Sequence, residues 1–125
     1  MINDKTGKGY HKLIVWQKTR DFVYQIYKYS DSFPKAEEFG LKGQLRRAAV
    51  SVVLNIVEGY RRRSTREFLR FLDIAQASLA EVEAILELLL DLKYISSKEY
   101  VPLEQKRMEL AYLMNGLVKS LNKKL

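Results

Sequence analysis

Two runs of apolar residues at helical spacing, joined by an arginine-rich turn, restrict this chain more than any other feature. The joining stretch is NIVEGYRRRSTREFLR, residues 55–70. Before it, Leu41, Leu45, Ala48, Val52 and Ile56 step by three and four. After it, Phe68, Phe71, Leu72, Ala75, Leu79, Val82, Leu86 and Leu89 keep the same period, one face of a helix. Ser64 to Glu67 has the spacing of a capping box, which starts a helix by satisfying orphan backbone N–H groups. The stretch therefore reads as the turn of a helical hairpin. Five arginines lie between residues 61 and 70 against one acid, Glu67, so the turn displays a basic end.

The β-branched residues of VSVVLNIV, within residues 50–57, invite a strand reading. The unbroken helical spacing from Leu41 to Ile56 argues against it. From Ala48 to Val57 the helix is apolar nearly all round, which predicts burial on more than one side. One face serves the chain's own core. The other is expected to be covered by another subunit, so a homo-oligomer is predicted.

A first helix is predicted from about His11 to Ser30, with Leu13, Trp16, Val23, Ile26, Tyr27 and Ser30 on its apolar face. Ser-Asp-Ser-Phe-Pro at 30–34 ends it, because a residue before proline is driven out of the helical region. The second helix begins between Lys35 and Leu41 and ends near Gly59. A fourth opens at Ser96 or Ser97, where Ser96 to Glu99 gives another capping-box spacing. Leu103, Leu110 and Leu117 repeat at seven residues, with Arg107, Met114 and Leu121 alongside. The fold class expected is all-α, an antiparallel up-down-up-down four-helix bundle. Residues 1–10 read as a flexible N-terminal arm and residues 11–125 as a single domain.

Composition sets outer limits. The chain has 125 residues, enough for a core, and no cysteine, which removes disulfides and thiolate chemistry. No run approaches about 18–20 uncharged apolar residues, and the N-terminus has no apolar signal segment, so a cytoplasmic bacterial protein is expected. The net charge of +7 makes a polyanion partner a natural candidate. Alternating helices would gather three basic clusters at one end: Lys5, Lys8 and Lys12; Arg61, Arg62, Arg63 and Arg66; and Lys119, Lys123 and Lys124. Asp31, Glu37, Glu38, Asp91 and Glu99 would mark the opposite end.

The nucleic-acid-binding residues predicted are Arg61, Arg62, Arg63, Arg66, Arg70, Lys123 and Lys124. Arginine suits phosphate because its planar fork donates two parallel hydrogen bonds. The start of the following helix, at Ser64 and Thr65, adds backbone donors. Two other readings stay open: the turn pairs with acids of a neighbouring subunit, or is simply solvated. Tyr60 is the tyrosine placed to stack on a base. Arg46 and Arg47 are expected to pair with Glu81 or Glu83, and Glu58 with an arginine of the turn. Asn55, beside an apolar face, is expected to fix helix register.

Catalytic signatures are missing. His11 has no second histidine at metal spacing and is expected at the surface. The Glu-x-x-His pattern of di-iron bundles and the glycine spacing of phosphate loops are absent. No enzyme activity, cofactor or metal is expected.

Several segments resemble a known family. They are LIVWQKTRDFVYQIY, residues 13–27, and SFPKAEEFGLKGQLRRAAVSVVLNIVEGYRRRSTREFLRFLDIAQASLAEVE, residues 32–83. With Val15-Trp16-Gln17, Phe33-Pro34, Arg46-Arg47-Ala48, Asn55-Ile56 and Glu58-Gly59 in order, the chain resembles the four-helix-bundle proteins encoded in intervening sequences of bacterial 23S rRNA genes. The resemblance covers about residues 13–121. It implies an antiparallel bundle, a pentameric ring, no known catalytic activity and a nucleic-acid role. Accessory proteins of diversity-generating retroelements form a related group, which implies a reverse-transcriptase-like or acidic protein partner as the alternative. Leu54 and Val57 stand where the family usually has alanine, Ala77 where it has glycine, and Gly43 where it commonly has a polar residue.

Overall fold

The structure, a computed structural model, describes residues 9–37 and 40–125. They form four α-helices and no strand: α1 Ile14–Ser30, α2 Leu41–Tyr60, α3 Thr65–Asp91 and α4 Ser97–Asn122. Short 3-10 turns at Gly9–Lys12 and Lys35–Glu37 precede α1 and α2. Lys5, Lys8 and Glu38, and most of the predicted arm, lie outside the described residues. None of the described helices is long and apolar enough to cross a membrane.

Each helix starts and stops for a local reason. The Ser64 hydroxyl accepts the Glu67 N–H at 3.1 Å and so caps α3. The reciprocal half of that box is missing, because the Glu67 carboxylate turns to Arg70 instead. At α4 the box is complete: Ser96 Oγ accepts from Glu99 N at 3.2 Å, and Glu99 Oε1 accepts from Ser96 N at 2.9 Å. α3 ends in a Schellman motif, with Tyr94 N donating to Leu89 O and Lys93 N to Leu90 O. Lys93 takes the left-handed position of that motif, φ 65°, which glycine usually fills.

The core lies where the four helices face each other. Trp16, Phe22 and Ile26 of α1 meet Leu45, Val52 and Ile56 of α2, Leu72, Leu79, Val82 and Leu86 of α3, and Leu103, Leu110 and Met114 of α4. α2 and α3 share the largest interface, and α1 and α4 close the circuit. The apolar face of α1 is rotated from the predicted one. Val15, Thr19 and Phe22 are buried, whereas Tyr27 is exposed and Leu13 and Val23 are only half-buried. Outside the core, the Tyr27 ring is covered by the Arg46 guanidinium at 4.3 Å.

Arg46 overturns a second expectation. It reaches neither Glu81 nor Glu83 but closes the end of α1, donating to Tyr27 O at 3.0 Å, Ser30 Oγ at 2.8 Å and Asp31 Oδ1 at 2.8 Å. Carbonyls at a helix C-terminus lack intrahelical partners and carry partial negative charge, so a guanidinium there meets three acceptors at once. Arg47 does share a cleft with Glu81, but no ion pair joins them among the described residues. Glu83 instead meets Arg107 at 3.3 Å.

His11 is also corrected, since it is buried rather than at the surface. Its ring lies 4.5 Å from Tyr10 and 4.6 Å from Trp16, and its carbonyl accepts from Gln17 Nε2 at 2.7 Å. Burial of this aromatic group anchors the 3-10 turn at Gly9–Lys12 to the start of α1.

Candidate nucleic-acid interface

The basic turn is held in place by a close approach of α2 and α3. Gly59 is buried, and a Cβ there would lie 2.8 Å from Phe68 Cδ1 and 2.9 Å from Phe71 Cβ. Only a residue without a side chain lets the start of α3 come so near the end of α2. Further along the same interface, Ser51 Oγ and Ser78 Oγ are 2.8 Å apart. Asn55 Nδ2 donates to Ser51 O at 2.8 Å and to Ser51 Oγ at 3.2 Å. The bond across the interface is the one between Ser51 and Ser78; Asn55 stays within α2 and acts on the register only through Ser51.

Beyond Gly59 the chain turns through Arg61, Arg62 and Arg63, all exposed. The Arg61 guanidinium sits 5.6 Å from the Tyr10 ring centre, which places the end of α2 against the turn before α1. Arg62 Nη2 donates to Glu58 Oε2 at 2.8 Å, the pairing expected of Glu58. Arg70 Nη2 donates to Glu67 Oε1 at 3.2 Å and Nε to Oε2 at 3.4 Å. That bond, with the charge of Arg70 behind it, holds the Glu67 carboxyl below the usual carboxylate range. Arg63 and Arg66 are exposed and make no ion pair among the described residues.

Phe71 is the member of this site that sequence reasoning assigned only to the core. The guanidinium carbons of Arg62 and Arg70 both lie 4.6 Å from its ring centre. The signal available in the sequence was Gly59, whose missing side chain allows Phe71 to reach the turn. Tyr60 is exposed and meets Phe68 edge-on at 6.1 Å, while a Cβ on Gly9 would come within 2.6 Å of its hydroxyl.

Lys123 and Lys124 are exposed just past the end of α4. Among the described residues no hydrogen bond or ion pair ties them to the arginines, but the pairing of α3 with α4 sets their level. Gln76 Nε2 donates to Asn115 Oδ1 at 2.7 Å, linking α3 to α4. From there α3 runs back about 16 Å to Thr65, and α4 runs on about 10 Å to Asn122. Arg107 meeting Glu83 shows the order of the pairs: as residue numbers rise along α3 they fall along α4. The same holds for α1 and α2, where Tyr10 meets Arg61 and Asp31 meets Arg46. Lys123 and Lys124 thus lie toward the end that carries the arginine turn.

Among the described residues no group of three His, Asp or Glu could hold a metal ion. A cleft of about 290 Å³ between α2 and α3 is lined by Gln44, Arg47, Ala48, Ser51, Glu81 and Ile85, and neither His11 nor Glu58 reaches it.

The family described as 23S rRNA-intervening sequence protein matches residues 11–116. Among solved structures, the chain is similar to a Bacteroides thetaiotaomicron protein of unknown function from the S23 ribosomal protein family. The two share 28% identity over 85% of this chain and 99% of the other, with a TM-score of 0.78. No curated protein matches the chain.

Proposed function

Because the chain belongs to the 23S rRNA-intervening sequence protein family, we propose that it binds structured RNA, without catalysis, through the basic turn between α2 and α3. Arg61, Arg62, Arg63 and Arg66 contact phosphates, with Arg70, Lys123 and Lys124 widening the field. The carrying observation is that all seven of these residues are exposed. Binding of this kind is electrostatic and falls steeply with salt as counterions are released.

The helices run in an antiparallel up-down-up-down order, which the descending residue pairs support. Copies of the chain assemble into a ring, five by resemblance, in the cytoplasm. The apolar outer side of α2 supports assembly: Leu54 is 57% exposed, and Val50, Val53 and Val57 beside it are half-buried. Repeating the turn around a ring would raise avidity without any new contact.

A second reading has its own observation. Two turn arginines already hold carboxylates, so the same surface suits an acidic protein or a reverse-transcriptase-like partner. Labelled RNA titrated at low salt separates the two. The RNA reading expects micromolar or tighter binding that R63Q/R66Q weakens at least threefold. No binding by the wild type would overturn it and leave the scaffold reading. Light scattering at micromolar concentration expects an oligomer; a monomer contradicts the ring.

A further inference from the structure

Five side chains at the turn form one unit: Arg62 and Arg70 share the Phe71 ring, Arg62 holds the carboxylate of Glu58 at the end of α2, and Arg70 holds that of Glu67 in the first turn of α3. We propose that Glu58 and Glu67 are specificity-determining residues of the basic turn. They occupy Arg62 and Arg70 in the free protein, and only a dense chain of phosphates displaces them. This inference rests on the RNA-binding reading above.

The argument is one of competition at a fixed donor. A guanidinium on an aromatic face keeps its plane and loses little freedom when it binds. Phe71 is therefore a positioning residue, holding both forks ready whether the acceptor is carboxylate or phosphate. The two ion pairs are solvent-exposed, with side-chain exposures of 43% and 58% for the arginines. Such pairs are weak, about twofold each as an equilibrium factor. A lone anion meeting one arginine gains little over the resident carboxylate. An RNA duplex meets Arg63 and Arg66 first, which hold no acid among the described residues, and then exchanges phosphate for carboxylate at Arg62 and Arg70. The acids thus penalise sparse anions more than a continuous backbone.

The test is a double-mutant cycle read by binding of a fluorescent 20-base-pair RNA duplex across a salt series. E58Q and E67Q together should tighten binding about threefold to fivefold. They should also steepen the slope of log K against log salt by about one, as freed guanidiniums neutralise further phosphate. D73N, which removes one exposed acid with no ion pair among the described residues, is the single-charge control for E58Q and for E67Q taken separately, and should move the slope far less than either. The decisive arm is E58Q in an R62Q background. If Glu58 acts through Arg62, its gain there falls to that of D73N. An equal gain in both backgrounds would mean that only long-range charge is at work, and would overturn the inference. F71L, with its helical circular dichroism intact, should weaken binding about twofold, and unchanged affinity would remove Phe71 from the device. Failure of the wild type to bind duplex would instead defeat the RNA reading itself.

Discussion

Arg107 and the arginines of the turn are the same residue put to opposite uses. Arg107 side-chain exposure is 10%, and it donates to Glu104 Oε1 and Oε2 at 2.7 Å each and to Glu83 Oε2 at 3.3 Å. The bond to Glu104 keeps it charged even more firmly than an ordinary arginine, against the desolvation that burial imposes. Its Nε and Nη2 are taken up by these two carboxylates. Arg62 and Arg70 also hold carboxylates, but in water, where the pairs are weak and exchangeable. Burial, not charge, decides which arginine is held by the fold and which stays in water.

The comparison can be broken by substitution. Arg107→Ala should cost about 2–3 kcal/mol of stability in urea unfolding, because it strands the Glu104 carboxylate, only 17% exposed, beside the core. A loss below about 0.5 kcal/mol would mean that Arg107 is no more structural than the turn. Gly59→Ala comes next, at about 1–3 kcal/mol, since the added methyl must push Phe68 and Phe71 away. It should also disturb the turn, so RNA affinity should fall with stability. A neutral result would separate the packing of α2 on α3 from the geometry of the arginines. Ser64→Ala removes the α3 cap and should cost about 1 kcal/mol.

A subtler effect lies at the far end. Tyr94 Oη donates to Glu37 Oε2 at 3.1 Å, and that bond to a carboxylate raises the Tyr94 pKa above its ordinary value. The folded-state value is the higher one. The stabilisation is therefore complete below about pH 10 and is lost as pH rises through the folded pKa. Tyr94→Phe should flatten stability between about pH 9 and 11, and an unchanged pH profile would show that the bond does not hold in solution.

How much of this was legible in the sequence differs between the two regions. The helix starts at Ser64 and Ser96, the core position of Trp16 and the Glu58–Arg62 pair all follow from spacing along one helix, which a sequence displays directly. The errors lie between helices. Arg46 was expected to face α3 and instead closes α1. Tyr27 was placed on an inner face and lies outside. His11 was expected in solvent and is buried. Each depends on how far one helix is rotated against another, and that angle is set by packing of many side chains at once. Phe71 was missed as part of the turn for the same reason: its meeting with Arg62 depends on the close crossing that Gly59 allows.

The most direct measurement is the salt dependence of RNA binding by R61Q/R62Q/R63Q beside the wild type, with urea unfolding of both. The account predicts at least tenfold weaker binding at 100 mM salt, a slope of log K against log salt shallower by about two, and stability within about 0.5 kcal/mol of the wild type. Equal affinity and equal slope in a folded triple variant would contradict it.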